Sequence, residues 1–175
     1  MTNPGRYALL KARLDAWVEA LILGGAAEQR DLAEREHPWQ DAGPSIVSAV
    51  ELRPARAGAV PLIVGRARVD EGDDIGLGAA LAIGSPGHAW GLVPVCSCDA
   101  CDDGSGPLLE QLDDEFLTVL RGRVLLVVDG ERMVRRTQNG WSSTGSFDLD
   151  EPQLWLDGIV TPEPNWTVVQ GDAWL

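Results

Sequence analysis

Residues 60–95 read VPLIVGRARVDEGDDIGLGAALAIGSPGHAWGLVPV, and how this stretch is divided decides the fold. Val60 to Val69 is a branched, apolar run ending at an acidic loop tip, Asp70-Glu71-Gly72-Asp73-Asp74. Ile75 to Ile83 forms a second run and His88 to Val95 a third, separated by the strong turn signal Gly84-Ser85-Pro86-Gly87. Each run has strand length, and no segment of helical spacing intervenes. The pattern predicts an antiparallel meander rather than strands joined by crossover helices.

Working outward, Val47, Ala49, Glu51 and Leu52 up to Pro54 predict a preceding strand, turned back by Arg56-Ala57-Gly58. Further upstream, Tyr7, Leu10, Leu14, Trp17, Val18 and Leu21 recur every three or four residues. This spacing predicts an amphipathic helix entered through Asn3-Pro4 and ended or bent at Gly24-Gly25. Ala26 to Glu36 reads as a second, polar helix stopped by His37-Pro38. Downstream, Leu108, Leu109, Leu112, Phe116, Leu117 and Leu120 carry helical spacing up to Gly122. Val124 to Val128 then reads as a buried strand, turned by Asp129-Gly130 into Met133 to Thr137.

The resulting expectation is an α+β fold in one domain spanning residues 1–175. It comprises a helical segment (1–43), a sheet with a cysteine loop and second helix (44–138), and an irregular tail (139–175). That tail carries Trp141, Trp155, Trp166 and Trp174. It is expected to dock on the body, because four exposed indoles are an aggregation hazard.

Fourteen Lys and Arg stand against 27 Asp and Glu, a net charge of -13. Such a surface repels phosphate backbones and anionic lipid, so nucleic acid and membranes are excluded as expected partners. A basic protein or a cation fits better. Residues 1–7 lack a basic stretch followed by an apolar run, so the chain is expected in the cytoplasm.

All three cysteines fall within Cys96-Ser97-Cys98-Asp99-Ala100-Cys101. In a reducing compartment, thiols clustered in one turn point to a metal or to redox chemistry before a structural disulfide. The C-x-C-x-x-C spacing lets three thiolates converge on zinc, which takes a fourth ligand. His88 is the nearest imidazole upstream, His37 is the other histidine, and Asp99 or Asp102 can supply oxygen. The candidate metal set is therefore Cys96, Cys98, Cys101 and His88. Inert buried thiols are the bland alternative. A redox reading of Cys98-Asp99-Ala100-Cys101 is opposed by the neighbouring Asp99, Asp102 and Asp103, which disfavour a thiolate. A calcium-loop reading from Asp99 to Glu110 fails because Cys101 places soft sulfur where hard oxygen is required. Neither H-E-x-x-H nor G-x-S-x-G occurs, and Gly76-Leu77-Gly78 lacks the third glycine of a dinucleotide loop.

The run Ala59-Val60-Pro61-Leu62-Ile63-Val64, the glycine-spaced strands, and Pro94-Val95-Cys96-Ser97-Cys98-Asp99-Ala100-Cys101-Asp102-Asp103 together resemble the bacterial domain of unknown function 6226. That family's loop has the form P-x-C-G-C-D-A-C-D-E. Ser97 here replaces its glycine and Asp103 its glutamate. The resemblance runs from about Val47 to Gly122 and implies that Cys96, Cys98 and Cys101 are the residues to test, with no catalytic role. The expectation is a non-enzymatic protein-binding module with a zinc-stabilised loop. The rival is a redox or hydrolytic enzyme using the metal or a thiol.

Overall fold

A computed structural model describes residues 5–39, 44–71, 74–95, 104–130, 132–148 and 150–175. Among these residues it is an α+β fold with three helices and two antiparallel sheets. Helix α1 (Gly5–Leu23) leads into β1 (Ala27–Leu32) and a 3-10 turn (Glu34–Glu36). Strands β2 (Ile46–Pro54), β3 (Leu62–Glu71), β4 (Asp74–Ile83) and β5 (His88–Val93) complete the first sheet, whose strands lie side by side in chain order. Helix α2 (Ser105–Leu120) precedes β6 (Leu125–Asp129), β7 (Arg132–Thr137) and β8 (Gly140–Thr144). Helix α3 (Glu151–Leu156) and β9 (Thr167–Gln170) follow, giving the second sheet the order β8-β7-β6-β9.

The period-two pattern of the meander sorts its side chains. Leu62 and Val64 on β3, with Ala79, Leu81 and Ile83 on β4, face the helices. They meet Leu10, Leu14, Leu112 and Phe116 in the main core. Ile63, Ala67, Ala80 and Ala82 face the other way, under Trp39. Gly65 makes room for that ring: a Cβ there would lie 2.9 Å from its Cζ3. On α1, Tyr7, Leu10, Leu14, Val18 and Leu21 are buried, the stripe that the spacing predicts.

One expected element is corrected. The polar stretch from Ala26 to Glu36 is not a helix but an edge strand followed by the 3-10 turn. Tertiary pairing overrides helix propensity here. Ala27 seats in the core, and Arg30 lies opposite Glu51 in the β1–β2 register. Arg30 donates from Nε to buried Glu51 at 2.8 Å and from Nη1 to Glu36 at 2.8 Å.

The region after 139 holds more regular structure than its sequence pattern signals. Trp155 and Leu156 of α3 cover Val127 and Val134 on one face of the second sheet. Strand β9 returns to pair with β6, matching Leu125 with Gln170 and Val128 with Thr167. Beyond it the chain threads between α2 and the β2–β3 connection. Trp174 is 4 % exposed; it donates its backbone N–H to the Leu120 carbonyl (3.0 Å) and its Nε1–H to the Val60 carbonyl (3.1 Å). Gly122 makes this path possible. Its φ of +66° closes α2 in a Schellman motif, with Arg123 N–H on the Thr118 carbonyl, and a Cβ there would lie 2.3 Å from Ala173 N. Among the described residues no helix is long and apolar enough to cross a membrane.

Candidate functional site

The cysteine loop connects β5 to α2, and Cys96, Cys98 and Cys101 lie outside the described residues, as do Asp99 and Asp102. Of the expected metal set only His88 is described. It is the half-buried first residue of β5, opposite Ile83. The loop leaves from the other end of that strand. Five residue steps separate His88 from Val93, a span of roughly 16 Å at the usual strand rise. His88 can complete a site with the cysteines only if the chain runs back along β5. Asp99 and Asp102 belong to the loop itself. His37 stands elsewhere, on the segment carrying Trp39, with its Nε2 buried and without a partner among the described residues. No group of three or more His, Cys, Asp or Glu suited to a metal occurs among the described residues.

Where β5, α2 and β7 meet, the structure assembles a polar junction that the sequence patterns do not signal. The β4–β5 register shifts between Leu81 and Ala82: Leu81 pairs with Gly91 and Ala82 with Ala89, leaving Trp90 as the extra residue. A bulge of this kind turns two successive side-chain directions to the same face. Trp90 is thereby buried under α2, and the bare Cα of Gly91 leaves space for Glu115, whose carboxyl carbon would lie 3.3 Å from a Cβ there. Glu115 accepts two hydrogen bonds from Arg135 of β7, at 2.6 and 2.7 Å, and that guanidinium carbon lies 5.0 Å from the Trp90 ring centre. Both partners are largely buried, at 10 % and 12 % side-chain exposure. One guanidinium thus ties the first sheet, α2 and the second sheet together by a bidentate pair and a cation–π contact. An arginine 20 residues beyond a helical glutamate has no local signature, so only the fold brings them together.

A groove of about 330 Å³ opens next to this junction, between α2 and the β7–β8 turn. Pro107, Glu110 and Asp114 form one wall and Thr137, Gln138 and Asn139 the other. Gln138 Nε2 donates to Thr118 Oγ1 at 3.0 Å, and that hydroxyl donates to the Asp114 carbonyl at 2.7 Å, fixing the turn against the helix. The side chains of Glu110 and Asp114 are exposed, and neither has an ion-pair partner among the described residues.

Other carboxylates are engaged. Asp113 accepts from Arg13 Nε and Nη2 at 2.9 and 2.6 Å and from Trp17 Nε1 at 2.6 Å. The Arg13 hydrogen bond holds its carboxyl below the usual range, with help from Trp17 against the opposing effect of burial. At Asp15 burial pushes upward, but Lys11 and Arg66 together outweigh it and the carboxyl is again lowered. These pairs tie α1 to α2 and to β3 respectively.

What this scaffold defines is a two-sheet α+β protein with a groove between α2 and the β7–β8 turn. The chain belongs to a family of unknown function, DUF6226, whose family model matches residues 1–157, a wider span than the loop and its flanking strands. Neither the curated proteins nor the solved structures contain a match.

Proposed function

We propose that this chain is a cytoplasmic, non-enzymatic protein-binding module that recognises a basic partner, with its cysteine loop held by one zinc ion. The observation that carries the partner reading is the distribution of charge. Arg13, Arg30, Arg53, Arg66, Arg132 and Arg135 are each engaged with a carboxylate of the chain, and Arg121 and Arg123 donate to Gln138 on the turn side of the groove, while Glu110 and Asp114 face solvent along its α2 wall. With 27 acidic against 14 basic residues the net field is negative, and the two exposed carboxylates on α2 give it a local focus that steers and selects cations.

The zinc reading rests on chemistry and spacing. Three thiolates within six residues form a soft donor set suited to zinc. The fourth ligand is His88 or an aspartate of the loop, Asp99 or Asp102. A closed four-ligand site of this kind is structural, not catalytic. Elemental analysis of protein purified without added metal or a metal-binding tag tests it, repeated on Cys98→Ser. About one zinc per chain is expected in the wild type and a clear loss in the variant. Chelation should lower the melting temperature while most of the sheet stays folded, well short of the roughly 10 kcal/mol dependence of a zinc finger. Metal-free wild-type protein whose melting temperature ignores added zinc removes this reading.

A further inference from the structure

The edges of the two sheets are guarded differently. Edge strand β1 carries Glu28, Arg30 and Asp31, charges that ordinarily discourage pairing with another chain. Edge strand β8, Gly140-Trp141-Ser142-Ser143-Thr144, carries neither charge nor proline. Among the described residues its sheet neighbour is β7, and no turn or loop backbone hydrogen bond reaches it.

The register says which groups are free. Asp129 lies opposite Arg132 and Thr137 opposite Gly140, so both ends of β7 are two-residue hairpins. Alternation then directs the even-numbered residues of β7 to β6 and the odd-numbered ones to β8. On β8, Gly140, Ser142 and Thr144 bond inward. Trp141 and Ser143 present their N–H and C=O groups outward. Ser142 is paired with Arg135 and so lies on the α2 side, the side of the groove walled by Glu110 and Asp114. Trp141 lies on the opposite face, with 41 % of its surface exposed.

We propose that β8 receives an added strand from a basic partner, an extended segment with Lys or Arg at alternate positions. This rests on the reading of the chain as an acidic binding module and supplies its docking site. Main-chain bonds to Trp141 and Ser143 provide the pairing. Alternation puts every second side chain of the added strand on the Glu110 and Asp114 side and the others beside Trp141. A second copy of this chain is the poorer occupant, since it brings another net charge of -13 to the same surface.

The test uses the full chain and a labelled eight-residue peptide of alternating lysine and valine, followed by fluorescence anisotropy and amide hydrogen exchange. Binding is expected to weaken as salt rises. Ser143→Pro removes an N–H that makes no bond to β7, so it should keep the fold and weaken binding by about tenfold or more. Glu110→Gln with Asp114→Asn should weaken binding and flatten its salt dependence. In the wild-type complex, the amides of Trp141 and Ser143 should gain protection while that of Ser142, already bonded to β7, changes little. This measurement decides the matter even if the proline variant fails to fold. Peptide binding that leaves Trp141 and Ser143 unprotected and ignores Ser143→Pro overturns the strand addition but leaves the acidic-module reading standing. No binding of the lysine peptide at all, with a glutamate-valine control equally inert, overturns both. Self-association that Ser143→Pro abolishes, without peptide binding, assigns the edge to a second copy and overturns the proposed occupant.

Discussion

The first sheet joins five strands in chain order, each hydrogen-bonded to its sequence neighbour, and is covered by a helix that precedes it. The second sheet starts the same way with β6, β7 and β8, but its fourth strand comes from residues 167–170 and inserts beside β6. Locally connected pairing needs little loop closure, whereas β9 must return across α3 and the turns around it. The contrast implies that the first sheet is held by its own hairpins and helices. The second depends on distant groups: the tail, and the Arg135 link to Glu115.

The largest expected effect comes from Trp174→Ala, which removes a buried indole where the tail is anchored. A loss of about 4 kcal/mol is expected in denaturant unfolding. Amide exchange should show β6 and β9 losing protection while β3 and β4 retain theirs. Equal loss in both sheets breaks the contrast, because the two would then unfold as one unit.

Arg135→Met comes next. It leaves the Glu115 carboxylate buried without its cation and should cost about 3 kcal/mol, while Glu115→Leu combined with Arg135→Met should return to within about 1 kcal/mol of wild type. A double variant as unstable as the single one shows that Arg135 acts through Trp90 more than through the ion pair.

The smallest effect lies between the two helices over the first sheet, at Asp113 of α2. Its folded carboxyl titrates below the unfolded one, so its contribution is fully present above the unfolded value of about 4 and is lost as pH falls through the lower folded value. The melting-temperature gap between wild type and Asp113→Asn should therefore be steady near neutral pH and close in acid below about pH 4. A gap that stays constant into strong acid shows that the substitution acts through lost packing or hydrogen bonding rather than through lost charge.

The same contrast governs what could be read from residues alone. The meander and both long helices were legible because their apolar residues recur at periods of two or 3.6, with Gly84-Ser85-Pro86-Gly87 and Gly122 as punctuation. Strand β1 was not, since its charged residues favour a helix locally and become a strand only opposite β2. Strands β8 and β9 were hidden for a related reason: they are five and four residues long, and their pairing partners supply the order. At the candidate site, the thiol cluster stood out by spacing, whereas the groove and the Glu115–Arg135 pair exist only once α2 is laid across β7.

The late return of β9 has a consequence during biosynthesis. A chain emerging from the ribosome in order can form the five-stranded sheet and dock α1 and α2 while residues 167–174 are still inside it. Until then β6 shows an unpaired edge, and Val124 and Leu126 lack part of their cover. For that interval the second sheet has β6 and β8 as its borders, and the β6 border is apolar. The arrival of β9 pairs β6 and moves that border onto a strand of four residues, which shortens the exposure of the β6 edge to aggregation and to chaperone capture.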